Sequence, residues 1–169
     1  MGKQLFLILS LVLLLSCHGG RQAIENTTKN SKVSILFIGN SLTYTNDLPA
    51  LVKKSAKERG IVLTTKMMAY PNYAIADHWD EGKVQKLIAS KKYDYVILQQ
   101  GPSSQKAGKE MLMNYGKKYR ELCEKHDARL SYFMVWPSVN YYATFDAVIQ
   151  NYTDAAKANN ALLLAVGRV

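Results

Sequence analysis

The sequence predicts an α/β fold: a five-stranded parallel sheet with helices on both faces. Three observations carry that expectation. Short apolar, β-branched runs recur roughly every thirty residues from position 33 onward. Between them lie segments whose apolar residues fall at helical spacing. Strands separated by helices are βαβ units, and right-handed crossovers lay such strands parallel with helices over the sheet. The length of 169 residues suits one domain with a single buried core. With 48% hydrophobic and 21% charged residues the composition is that of an ordinary globular chain, and no internal repeat is present.

The elements follow in order. "VSILFIG" (33–39) is a β-branched run closed by glycine, hence a strand. Asp47 with Pro49 behind it signals a helix start, and Leu48, Leu51, Val52 and Ala56 place one apolar face on a helix over 48–59, ended by Gly60. "IVLTTKMMAY" (61–70) is the second strand. Ile75, Trp79, Val84, Leu87 and Ile88 predict a helix over 75–90 with an irregular turn near Gly82. "YDYVILQ" (93–99) is the third strand. Met111, Leu112, Tyr115, Tyr119, Leu122 and Cys123 define an amphipathic helix over 109–126. "RLSYFMVW" (129–136) is the fourth strand, stopped by Pro137. Phe145, Val148, Ile149, Tyr152 and Ala156 line a helix over 144–159, and "ALLLAV" (161–166) is the fifth strand.

The N-terminus is of a different kind. "MGKQLFLILSLVLLLSC" has one lysine and then an apolar run from Leu5 to Leu15, broken only by Ser10. That run is short for a membrane span and right for a signal-peptide core, so residues 1–16 are expected to be a signal peptide. Ser16-Cys17 resembles the cleavage site of a bacterial lipoprotein, a small residue before the cut and a cysteine after it. Cys17 is then the lipidation site. The protein is expected to cross the inner membrane and stay lipid-anchored in the cell envelope. Residues 17–32 are polar without apolar period and read as a flexible tether. Cys123 is left without an intramolecular partner and is expected in the core.

The formal charge is +9. Its lysines (Lys53, Lys54, Lys57, Lys83, Lys86, Lys117, Lys118) are spread over several helices and do not alternate with aromatics along one stripe. They read as solvated helix faces, and no nucleic-acid partner is expected. Three histidines and two cysteines at these spacings make no zinc pattern, so no metal is expected.

In parallel α/β sheets ligands bind beyond the carboxyl ends of the strands. That directs attention to loops 40–46, 71–74 and 100–107 and to whatever follows 166. In the first loop, Gly39 allows a sharp turn, Asn40 tolerates unusual backbone angles, and Ser41 lies at the sheet edge near unpaired backbone N–H groups. Ser41 is then either a helix cap or an exposed nucleophile beside oxyanion donors. The second loop offers Asn72, and the third offers Gln99, Gln100, Gly101 and Ser103.

"ILFIGNSLTY" resembles the first block of the SGNH, or GDSL-type, hydrolases, in a branch that writes Gly-Asn-Ser for Gly-Asp-Ser. "PNYAIADHW" resembles that branch's second block and "YDYVILQQGPSS" its third, in matching order and spacing over residues 33–104. The resemblance implies a three-layer α/β/α flavodoxin-like sandwich over 33–169 and a serine esterase that uses no cofactor. It makes Ser41 the nucleophile, with its own N–H as one oxyanion donor. The second-block glycine position falls on Asn72. The third-block asparagine position falls on Ser103, with Gln99 and Gln100 as alternatives. The implied substrate is a small or glycan ester, such as an acetylated carbohydrate.

One part of that family's pattern is missing. The general base and its orienting acid lie in an Asp-x-x-His motif after the fifth strand, and no Asp-x-x-His occurs in this sequence. The histidines are His18 in the tether, His78 in the second block and His126 at a helix end. A Ser–His reaction needs the imidazole within about 3 Å of the hydroxyl. His78 is expected to pack or cap beside Trp79, and His126 to lie at the wrong edge of the sheet. The chain is therefore expected to be a C-terminally truncated hydrolase domain, inactive or very slow. The other reading is a lipid-anchored module that binds a sugar or acyl group through Tyr73, Trp79, Tyr141 and Tyr142 without cleaving it. A phosphate site at the first loop is disfavoured, because the glycines and lysine of a P-loop are absent.

Overall fold

The structure, a computed structural model, describes residues 32–90 and 93–168. The expected signal peptide, Cys17, His18 and the tether up to residue 31 lie outside the described residues; Lys32 already belongs to the first strand. The order is β1 (Lys32–Gly39), α1 (Ser41–Tyr44), α2 (Leu48–Glu58), β2 (Val62–Ala69), α3 (Ile75–Asp80), α4 (Lys83–Ser90) and β3 (Tyr95–Gln99). It continues through α5 (Lys106–Lys125), β4 (Arg129–Phe133), a 3-10 turn (Val139–Thr144), α6 (Phe145–Ala158), β5 (Leu162–Leu164) and a short 3-10 turn (Val166–Arg168). The five strands form one sheet in the order β2-β1-β3-β4-β5, every pair parallel.

Local chemistry explains most boundaries. Asp47 caps α2 by accepting from Ala50 N at 3.3 Å, and Pro49 sits in the first turn, where no N–H is missed. The helix expected over 75–90 divides into α3 and α4, because Gly82 adopts a left-handed φ of 74° between them. The fourth strand ends at Phe133, three residues before its expected end, although Met134 still bonds Leu164 O at 3.0 Å. The 3-10 turn that follows was not legible as an element, having no apolar period of its own. Cys123 is 1% exposed in the core, as its helical position implied.

The layering follows from crossover handedness. The chain steps from β1 to β2 in one direction, then reverses past β1 to β3, β4 and β5. Right-handed crossovers therefore put α2 on one face and α3 to α6 on the other. The packing agrees. Leu36, Ile38, Val96, Leu98 and Tyr132 pack with Ile75, Val84, Leu112, Tyr119, Val148 and Tyr152 in the larger core. The opposite strand positions, Phe37, Ile97 and Phe133, meet Leu48 and Val52 of α2. Gly116 of α5 makes room for Tyr132: a Cβ there would collide with the Tyr132 hydroxyl, which donates to Leu112 O at 2.8 Å.

The smaller face has one helix where the larger has four. Leu51, expected to face inward on α2, is 54% exposed. Beyond α2 an apolar groove of about 510 Å³ runs over β1, β3, β4 and β5, lined by Ile35, Val52, Ile97, Phe133, Leu162 and Leu164. Parallel sheets ordinarily have both faces covered, and apolar surface left in water is a ready binding site for apolar probes. The native chain is therefore expected to enhance anilinonaphthalene sulfonate fluorescence, and Leu162→Lys with Leu164→Lys to suppress it. No enhancement below the unfolding transition would show that this face is filled.

Candidate active site

The register of the sheet brings the loops to one edge. Gly39 pairs with Ala69, Ile38 with Leu98, Gln99 with Phe133, and Phe133 with Leu164, so all five strands end at the same level. The reversal of strand order lies between β1 and β3, which places Ser41 at the topological switch point.

The first loop is held by side chains, not by glycine freedom. Gly39 is the last residue of β1 and is not among the residues with left-handed φ; Asn40 is extended, at φ −130°. Gly39 is required for close approach instead. A Cβ there would collide with Thr43 Oγ1 and lie 2.6 Å from Gln99 Oε1. The helix cap is Asn40, not Ser41. Its Oδ1 accepts from Leu42 N at 3.1 Å while its Nδ2 donates to Tyr73 O at 3.0 Å in the second loop. An ionised aspartate could accept but not donate, so the Gly-Asn-Ser spelling supplies a tether that Gly-Asp-Ser would lack. Ser41 opens α1, half-buried. Neither its Oγ nor its N–H has a hydrogen-bond partner among the described residues.

The second loop is a turn, with Tyr73 N bonded to Tyr70 O at 3.3 Å, Pro71 leading and Asn72 at φ 61°. Pro followed by a left-handed Asn is the pattern of a type II turn. This explains how asparagine stands where the resembling family has glycine. Asn72 is exposed, and the turn leaves its N–H unused.

The third loop holds the remaining candidates. Gln99 and Gln100 are 2% and 4% exposed, and both carboxamides are committed inward. Gln99 Oε1 accepts from Asn40 N at 2.9 Å and Thr43 Oγ1 at 2.8 Å, and its Nε2 donates to Gln100 O at 2.9 Å. Gln100 Oε1 accepts from Ile75 N at 3.4 Å, and its Nε2 donates to Ser103 Oγ at 2.8 Å. Gln100 Nε2 also reaches Gly108 O at 3.4 Å, so both of its donors are engaged, while Gln99 Nε2 makes one bond among the described residues and keeps a second N–H. Ser103, at φ 55°, donates its hydroxyl to Gly101 O at 2.9 Å. Asn151 Nδ2 and Tyr152 Oη, from α6, hold this loop through Ser103 O at 2.9 Å and Gln100 O at 2.9 Å. These two anchors were missed; a polar Asn beside an inward Tyr on a helix is the signal that could have found them.

His78 is 1% exposed and contacts Gly39 O through Nε2 at 2.7 Å. Its ring packs against Tyr70 and Tyr73, at centroid distances of 5.6 and 5.0 Å, and the two tyrosine rings also meet each other at 5.1 Å. Burial lowers its pKa from the ordinary 6.5, against the Gly39 bond, which raises it. Next to it Tyr73 Oη donates to Glu81 at 2.6 Å and Lys83 pairs with Glu81 at 2.8 Å. The Lys83 bond chiefly lowers the Glu81 pKa, while the bond to Glu81 raises that of Tyr73. His126 caps the C-terminus of α5 just before β4, at the opposite edge, as expected. Among the described residues no imidazole bonds Ser41 Oγ. Of the aromatics considered for ligand binding, Trp79 packs edge-on against Tyr119 at 4.8 Å, whereas Tyr141 and Tyr142 are 68% and 65% exposed on the 3-10 turn after β4.

Similarity to known proteins agrees with this architecture. No protein-family model matches the chain, and no curated protein matches it. Solved structures do. A protein of Slackia heliotrinireducens assigned to the SGNH hydrolases superposes with a TM-score of 0.68 at 17% identity, over 79% of this chain and 78% of that one. TesA gives 0.61 at 17% identity, over 77% and 76%. A lipase/acylhydrolase from Enterococcus faecalis gives 0.62 at 12% identity, over 80% and 77%. The chain thus shares the three-layer α/β fold of these solved structures.

The geometry makes Gln99 the keystone of the first loop. Gln99→Leu leaves Asn40 N–H and the Thr43 hydroxyl buried without an acceptor, and is expected to lower the unfolding free energy by about 2–4 kcal/mol. Urea denaturation measures it; a loss within about 0.5 kcal/mol, the range of ordinary surface substitutions, would remove Gln99 from that role.

Proposed function

We propose that this chain carries the nucleophile and oxyanion half of an SGNH-type serine esterase site. Ser41 Oγ adds to the carbonyl carbon of an ester, its proton passes by way of water to the alcohol oxygen as that C–O bond breaks, and water then hydrolyses the acyl-Ser41, releasing the acid and restoring the Ser41 hydroxyl. The Ser41 and Asn72 N–H groups would receive the carbonyl oxygen. One observation supports this above the rest. Asn40 and Thr43 are tied inward around Ser41, while the Ser41 hydroxyl and N–H have no partner among the described residues at the switch point of the sheet. No described imidazole takes the serine proton, so turnover in this form is expected to be slow and to rest on the oxyanion donors and on binding. A short acyl group on a carbohydrate is the proposed substrate class. The exposed Tyr141 and Tyr142 favour a second reading, a module that holds such a ligand without cleaving it.

Two experiments test these proposals. A fluorophosphonate probe is expected to label the wild type and not Ser41→Ala, with p-nitrophenyl acetate turnover falling to the uncatalysed rate in the variant. Equal signals from both proteins would end the nucleophile assignment. We also propose a lipid anchor at Cys17, for which Cys17→Ala should move the protein from the membrane fraction to the soluble one; unchanged fractionation refutes the anchor.

A further inference from the structure

We infer that His78 is a positioning residue: a buried, neutral imidazole that latches the second loop onto the carbonyl ending β1, and so sets Asn72 relative to Ser41. The inference rests on the esterase reading of Ser41 for its consequence, and on the hydrogen bonds alone for its existence. Gly39 O accepts twice, from Tyr70 N at 3.2 Å and from His78 Nε2 at 2.7 Å. Asn40 Nδ2 adds a third link, to Tyr73 O at 3.0 Å. These bonds join residues 39–40 to residues 70–78, the two segments that hold Ser41 and Asn72. The two candidate oxyanion donors therefore depend on this junction for their separation. A displacement of about 1 Å in such a site can cost on the order of a hundredfold in rate.

The protonation state follows from the partners. A bond to a carbonyl requires that Nε2 carry the proton, so in the neutral ring Nδ1 is the bare nitrogen. Nδ1 is buried without a partner among the described residues. A second proton would put an N–H donor there with no acceptor and a charge in a buried site, which is the costlier arrangement. The groups facing the ring are Tyr70 and Tyr73, which cluster with it, and Asp77, Glu81 and Lys83 nearby. Glu81 is already paired to Lys83 and to Tyr73, which leaves it a weak counter-ion for an imidazolium. With the folded pKa below 6.5, the unfolded chain takes up the proton first. The His78 contribution is thus complete above the unfolded value and is lost as the pH falls through the folded one.

The test compares wild type with His78→Gln, whose amide can still donate to Gly39 O but does not titrate, and His78→Leu, which cannot donate. Imidazole nitrogen NMR of the wild type is expected to show the Nε2–H tautomer persisting below pH 6.5. Fluorophosphonate labelling of Ser41 and denaturant stability should fall together in acid for the wild type, and His78→Gln should lose that part of the pH dependence. His78→Leu is expected to label about 10–100-fold more slowly at every pH. An Nδ1–H tautomer, or a pH profile of stability identical in wild type and His78→Gln, overturns the latch, and so does wild-type labelling in a folded His78→Leu. If the wild type is not labelled at Ser41 at all, the esterase reading fails. The tautomer and the pH dependence of stability then decide the latch alone, and they do so even where His78→Leu does not fold.

Discussion

A single carboxamide oxygen organises the functional edge of this protein. Gln99 Oε1, at the end of β3, accepts both the Asn40 N–H and the Thr43 hydroxyl from the loop after β1. Those groups are buried, and an acceptor so placed is what allows them to be. Gly39 is glycine because the space where its Cβ would lie belongs to Gln99 and Thr43. With the loop drawn inward at positions 39, 40 and 43, the side chains of Ser41 and Leu42 between them are left at the surface. The free hydroxyl of Ser41 is the consequence of its neighbours being bound.

The same edge is tied laterally from both sides. Asn40 and His78 fasten the second loop to the first, and Gln100, Asn151 and Tyr152 fasten the third loop to α3 and α6. Most of these bonds run between side chain and backbone, so the loops keep their shape without regular structure of their own. Under the proposed esterase reading, preorganisation of this sort suits a site that stabilises developing charge.

The rest of the molecule is asymmetric for a topological reason. One reversal in the sense of strand addition, when the chain passes from β2 back across β1 to β3, puts a single helix on one face and four on the other. The more covered face holds most of the buried aromatic residues, among them Tyr119, Tyr132 and Tyr152, each with its hydroxyl on a backbone carbonyl. The other face relies on α2 and leaves the apolar groove over β4 and β5. Leu51 pointing to solvent belongs to the same picture: α2 needs only Leu48 and Val52 to meet the sheet.

The sequence by itself determined the five strands, the major helices, their parallel arrangement and the edge at which the loops meet. Those features are written in local periodicity and in the handedness of L-residues, both readable a few residues at a time. It also singled out Ser41, because a glycine, a small polar residue and a serine directly after a buried strand are a local pattern. What only the tertiary structure decided is which polar side chains face in. Gln99 and Gln100 read as loop-edge residues in the sequence and are buried struts in the fold, each carboxamide both accepting and donating, while His78, far from Gly39 in sequence, meets its carbonyl. A side chain's hydrogen-bond partner is set by packing between elements distant in the chain, and no local pattern encodes that.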